Sequence, residues 1–75
     1  MENQRIRLSK SLLKGALMRL LRQKPIEKVT IYELCAEAQI NRTTFYKYYG
    51  SQYDLLIDIE EEYFCKLEQI LSETE

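Results

Sequence analysis

The stretch Thr30-Ile-Tyr-Glu-Leu-Cys-Ala-Glu-Ala-Gln-Ile-Asn-Arg-Thr-Thr-Phe-Tyr-Lys-Tyr-Tyr49 decides the fold. It contains two helix starts. Thr30 followed by Glu33 is a capping box, in which each side chain satisfies a backbone amide of the other. Val29 and Leu34 flank it as a hydrophobic staple. The helix so started spans 31–38 and turns Ile31, Leu34, Cys35 and Ala38 inward. Asn41 is a second N-cap, with Ile40 and Phe45 as its apolar pair. The helix after it spans 42–48, and Gly50 is predicted to end it in the left-handed conformation. Only Gln39-Ile40-Asn41 separates the two helices.

Two short helices joined by a three-residue turn have the spacing of a helix-turn-helix. Such a unit lays its second helix in the major groove of DNA. With Phe45 inward, helical geometry puts Thr43 and Lys47 on the opposite side, flanked by Thr44 and Tyr46. That face offers hydroxyls, a phenol and an ammonium, and no acid. All can bond phosphates or base edges. Arg42, in the first turn, is long enough to reach a guanine edge. Tyr49 shares the Phe45 face and is assigned to the core with Leu34 and Ala38. Tyr46 is assigned to solvent, and Tyr48 lies between.

Upstream, Leu8, Leu12, Leu13, Ala16, Leu17, Leu20 and Leu21 form one amphipathic stripe. A helix over about 5–23 follows, its other side carrying Arg7, Lys10, Lys14, Arg22 and Lys24. Pro25 disfavours helical geometry at Lys24 and stops it. A linker, 24–29, leads to Thr30. Downstream, Ser51 caps a last helix running to about Leu71, with Asp54 in its first turn. Leu55, Leu56, Ile59, Tyr63, Leu67 and Ile70 make one stripe on it. Ile57, Phe64 and Leu71 make a second, read as lying on a different side and as packing on something outside the head. No strand pattern or repeat occurs. The expected class is all-α: a three-helix, homeodomain-like bundle over 1–50 and a connecting fourth helix over 51–75.

Composition narrows the function. At 75 residues the chain holds at most one small domain. It is 45 % hydrophobic and 31 % charged, too apolar for disorder. The net charge of −1 divides sharply. Residues 1–50 carry ten Lys/Arg against four Asp/Glu, or +6. Residues 51–75 carry one Lys against eight Asp/Glu, or −7. A basic segment suits a polyanion; acidic residues behind it would be repelled by phosphate and help orient it. With no His, the commonest general base and metal ligand is missing. Cys35 and Cys65 lie too far apart for a zinc motif and are read as free packing thiols. Asp54, Asp58, Glu61 and Glu62 share a helical spacing but are read as a solvated face, not a metal site. Two glycines allow no phosphate-cradling loop. No cofactor and no enzymatic activity are expected. No apolar run is long enough for a membrane span, and the polar N-terminus is no secretion signal, so a cytoplasmic protein is expected.

The run from Thr30 to Tyr49, above all Thr44-Phe45-Tyr46, followed by Ser51 and Leu55-Leu56, resembles the N-terminal domain of TetR-family bacterial transcriptional regulators. The likeness covers about residues 8–60. It implies a DNA-binding head whose third helix reads the major groove. By position, Arg42, Thr43 and Lys47 would face bases. Thr30, Tyr32, Thr44, Tyr46 and Tyr48 would hold phosphates. Two positions depart from the pattern. Gln39 replaces the usual turn glycine, and Gln52 replaces a lysine, implying a neutral, weaker phosphate contact. The resemblance further implies a C-terminal domain beyond this chain that binds a small-molecule effector and forms a homodimer on a pseudo-palindromic operator. The last helix would connect to it, and ligand would change the separation of the two heads. This chain alone would then be largely monomeric and bind DNA weakly. The alternative is a small helical protein-interaction module without DNA affinity.

Overall fold

The computed structural model describes residues 3–73. Four α-helices follow one another: α1 (Gln4–Leu21), α2 (Ile31–Ala38), α3 (Arg42–Tyr48) and α4 (Gln52–Glu73). A single 3-10 turn, Ile26–Lys28, lies in the linker before α2. No strand occurs among the described residues.

Each helix start has a local cause. Asn3 caps α1, its side chain accepting from the Ile6 amide at 3.0 Å. The helix thus begins one residue before the expected Arg5. It ends at Leu21 rather than Gln23, because the Gln23 and Lys24 amides both turn back onto the Leu20 carbonyl. Thr30 and Glu33 form the complete capping box of α2. Asn41 accepts from the Thr44 amide at 3.0 Å and opens α3. Ser51 accepts from the Asp54 amide at 3.3 Å and opens α4, which continues to Glu73, past Leu71.

The turn between α2 and α3 requires a left-handed residue, and Gln39 supplies it at φ 59°, ψ 43°. A side chain there costs about 1–2 kcal/mol that glycine would not incur. Gly50 does something different from what its position suggests. The residue closing α3 is Tyr49, in extended conformation, and neither glycine has positive φ. Gly50 is small for steric reasons. A Cβ on it would come within 2.8 Å of the Asp54 carboxylate.

The core gathers Leu13, Ala16, Leu17 and Leu20 of α1, Val29, Leu34, Cys35 and Ala38 of α2 and its approach, Phe45 and Tyr49, and Leu55 of α4. Leu55 is fully buried, and Leu56 and Ile59 pack against the cluster. The first turns of α4 therefore belong physically to the head, past the boundary drawn at residue 50. The leucine stripe of α1 is buried only in its second half; Leu8 and Leu12 are exposed. α1 packs on α2 and α4, and α2 on α3.

Beyond Glu62, α4 projects from the head with every side chain exposed. The radius of gyration, 13.6 Å, exceeds the about 11 Å expected of a compact chain this long. At 100° per residue, Ile57, Phe64 and Leu71 fall beside the Leu56, Tyr63, Leu67 and Ile70 row rather than on a separate side. The two stripes form one broad apolar face. Tyr63, Phe64, Leu67, Ile70 and Leu71 of that face are all exposed.

Candidate nucleic-acid interface

α3 is seven residues long and is held by one side only. Phe45 is fully buried and anchors it. The ring of Tyr46 meets Phe45 edge-on at 5.4 Å, and Tyr49 packs against it at 5.7 Å. Tyr49 is 7 % exposed. With that side inward, Arg42, Thr43, Tyr46 and Lys47 are exposed, and helical geometry puts them within one arc of about 140°. Thr44 and Tyr48 are half-buried at its shoulder. The residues assigned to bases are thus brought together, with Tyr46 among them. The Lys10 ammonium lies 5.6 Å from the centroid of the Tyr48 ring, a cation–π distance.

α2 contributes from its first turn. Tyr32 is 72 % exposed there. It lines an open groove of about 420 Å³ together with Cys35, Ala36, Gln39, Ile40, Asn41 and Arg42. Tyr32 and Arg42, from different helices, share this groove. Thr30 is placed otherwise. Its hydroxyl accepts from the Glu33 amide at 3.1 Å and donates to Glu33 Oε1 at 3.3 Å. Its backbone amide donates to the same Oε1 at 3.1 Å. The groups of Thr30 that could meet a phosphate are engaged in the capping box.

The two carboxylates of α2 are both neutralised. Glu33 accepts from the Lys24 ammonium, and Arg19 Nε donates to Glu37 at 2.8 Å. The Lys24 hydrogen bond, then that of the Thr30 amide, holds the Glu33 carboxyl below its usual range. α3 has no acidic residue. The helix-turn-helix therefore presents cations at Arg42 and Lys47 without an uncompensated carboxylate on α2. Arg19 and Lys24 were not singled out from sequence for this role, because their partners lie eighteen and nine residues away.

Gln52 has an internal partner. Its Nε2 donates to the Val29 carbonyl at 2.9 Å and ties the start of α4 to the approach of α2. Three of the α4 carboxylates are similarly committed. Asp54 accepts from the Gly50 amide, Asp58 from the Tyr49 hydroxyl and Glu62 from Lys14. No group of three or more side chains suited to a metal ion occurs among the described residues. Cys35 is buried and Cys65 exposed, and both are free thiols. Burial pushes the Cys35 thiol pKa up against the opposing charge of Arg42. No helix among the described residues is long and apolar enough to cross a membrane.

A sequence model of the family described as bacterial regulatory proteins, tetR family, matches residues 12–59, more than half of the chain. That span runs from the middle of α1 through the second turn of α4. No curated protein and no solved structure gives a significant match. Helix order, the capped α2–turn–α3 unit and the family match agree: the chain belongs to the tetR family of bacterial regulatory proteins, and it carries that family's DNA-binding helix-turn-helix domain.

Proposed function

We propose that this domain is the operator-reading head of a ligand-responsive repressor. The observation that carries the reading is the exposed, acid-free arc of α3 formed by Arg42, Thr43, Tyr46 and Lys47. Arg42, Thr43 and Lys47 face base edges in the major groove. Tyr32, Tyr46 and Tyr48 hold the flanking phosphates, with Thr44 at the shoulder of α3. Thr30 acts mainly by fixing the start of α2. The apolar face of α4 beyond Glu62 is where a C-terminal effector-binding and dimerising domain packs, and two heads so joined read a pseudo-palindrome. The effector binds that domain and not the head. The setting is the bacterial cytoplasm.

A gel-shift titration in rising salt tests the DNA-binding assignment. The duplex is one selected by this chain from a random pool. Affinity falls steeply with salt, because binding releases condensed counterions. Lys47→Ala and Tyr46→Ala weaken binding while circular dichroism stays unchanged. Salt-insensitive binding, or variants that bind as tightly as the unsubstituted chain, overturns the reading in favour of a protein-interaction module.

A further inference from the structure

Asp58 of α4 sits where three helices meet. Its Oδ2 accepts from the Tyr49 hydroxyl at 2.6 Å. The same oxygen lies 3.5 Å from the Lys14 ammonium of α1. Lys14 also donates to Glu62, one turn further along α4, at 2.5 Å. Tyr49 closes α3 by donating its backbone amide to the Phe45 carbonyl at 3.0 Å. Its ring contacts both Phe45 and Tyr48. Tyr49 therefore cannot shift without carrying the C-terminal turn of α3, which includes Lys47.

α3 packs chiefly on α2, and α4 chiefly on α1. Besides the short connection at Gly50, where Asp54 accepts the backbone amide, the two reach each other through the shared core, whose apolar contacts are non-directional. A short hydrogen bond to a carboxylate is directional and strong. We propose that Asp58 is a positioning residue for DNA recognition: by gripping Tyr49 and Lys14 with one carboxylate oxygen, it sets the orientation of α3 relative to α4. The proposal rests on the reading of α3 as the DNA-facing helix. It makes Asp58 a determinant of sequence discrimination, although it faces away from DNA. General attraction to phosphate, which depends on charge more than on angle, is left intact.

The test compares the 75-residue chain with Asp58→Ala, Asp58→Asn, Tyr49→Phe and the Tyr49→Phe/Asp58→Ala double variant. Each is titrated onto the duplex selected from a random pool and onto a scrambled duplex. The temperature is one at which circular dichroism shows every protein fully helical. Asp58→Ala and Tyr49→Phe each weaken binding to the selected duplex about tenfold. Affinity for the scrambled duplex stays within about twofold. Backbone amide resonances of Tyr46 and Lys47 shift in both variants. The double variant binds no worse than the weaker single one, as expected of two ends of one interaction. Asp58→Asn, which keeps an acceptor for Tyr49, recovers most of the loss. Should Asp58→Ala fail to fold, Tyr49→Phe and Asp58→Asn carry the comparison. Equal losses on both duplexes, unchanged affinity for the selected duplex, or additive losses in the double variant overturn the proposal. An unsubstituted chain that binds neither duplex overturns the DNA-reading assignment itself, and with it the role of Asp58.

Discussion

The Asp54 carboxylate accepts the Gly50 backbone amide hydrogen at 2.9 Å, in the space that a Gly50 side chain would occupy. The start of α4 is thereby locked from both sides, with Ser51 capping the Asp54 amide in return. Gly50→Ala pushes a methyl group into that oxygen and breaks the lock. The expected cost is that of a lost helix cap, about 1 kcal/mol. Asp54→Ala costs about the same, and the two losses are not additive, because both remove one interaction. Urea unfolding of the two single variants and of the double variant reads this directly.

Gln39 gives the opposite sign. Gln39→Gly relieves the left-handed backbone but adds freedom to the unfolded chain. The net gain is about 0.5 kcal/mol, a rise of a few degrees in Tm for a domain of this size. Gln39→Val, branched at Cβ, lowers Tm instead. Thermal unfolding by circular dichroism distinguishes the two directions.

Phe45→Ala empties the anchor of α3. A fully buried phenylalanine costs about 3–5 kcal/mol on truncation. That is comparable with the total stability of about 4–11 kcal/mol expected of 75 residues. Phe45→Ala should be mostly unfolded at 37 °C by far-ultraviolet circular dichroism, while Phe45→Leu remains helical.

Stability should depend on pH through the Lys14–Glu62 pair. The Lys14 hydrogen bond holds the Glu62 carboxyl below its ordinary value of 4.5. A carboxylate with a lowered folded pKa stabilises above its unfolded value, and the contribution is lost as pH falls through the folded one. For Lys14, burial acts to lower the pKa. The Glu62 hydrogen bond and the nearby Asp58 and Glu62 charges outweigh it and hold the ammonium above 10.5. Its contribution is full below 10.5 and is lost as pH rises beyond the folded value. Glu62 is half exposed, so solvent screening limits the pair to about 0.2–1 kcal/mol. Lys14→Met should differ from the unsubstituted chain in urea midpoint at pH 7, and the difference should shrink towards pH 3.

The two thiols should separate in reactivity. Cys65 is exposed and should react with a disulfide reagent at once. Cys35 is buried, with its thiol pKa raised, and should react only as the domain opens. A time course of thiol release should show one fast equivalent and one slow one, the second speeded by urea.

The parts of this fold that were legible in the sequence are those encoded within a few residues. The Thr30–Glu33 box, the Asn41 cap and the inward Phe45 each follow from spacing alone. What was not legible depends on how far another element reaches. α1 is 18 residues long, about 27 Å. α2, at eight residues, extends only about 12 Å. Together with the first turns of α4 it packs on α1 and leaves Leu8 and Leu12 outside. Periodicity marks a stripe but not the length of its partner. Gln52 is paired with a carbonyl twenty-three residues away, and Lys14 with Glu62 forty-eight away. No local rule connects such positions. Gly50 carries the ordinary signature of a helix C-terminus, and only the position of Asp54 shows that its role is spatial. On the face of α3, spacing distinguished the sides of the helix. It placed Thr30 in a cap and Tyr46 beside Thr43 and Lys47, but it did not show the Lys24 ammonium on Glu33 or the Arg19 guanidinium on Glu37.

The projecting part of α4 has a mechanical consequence. From Glu62 to Glu73 it is a rod of about 16 Å, fixed at its base and exposed along its length. Such a rod is a lever. Turning it by about 10° carries its tip about 3 Å, and a push of about 3 Å at the tip turns its base by the same angle. On the proposed function, a displacement no larger than a side chain at the tip turns the helical head by about 10°.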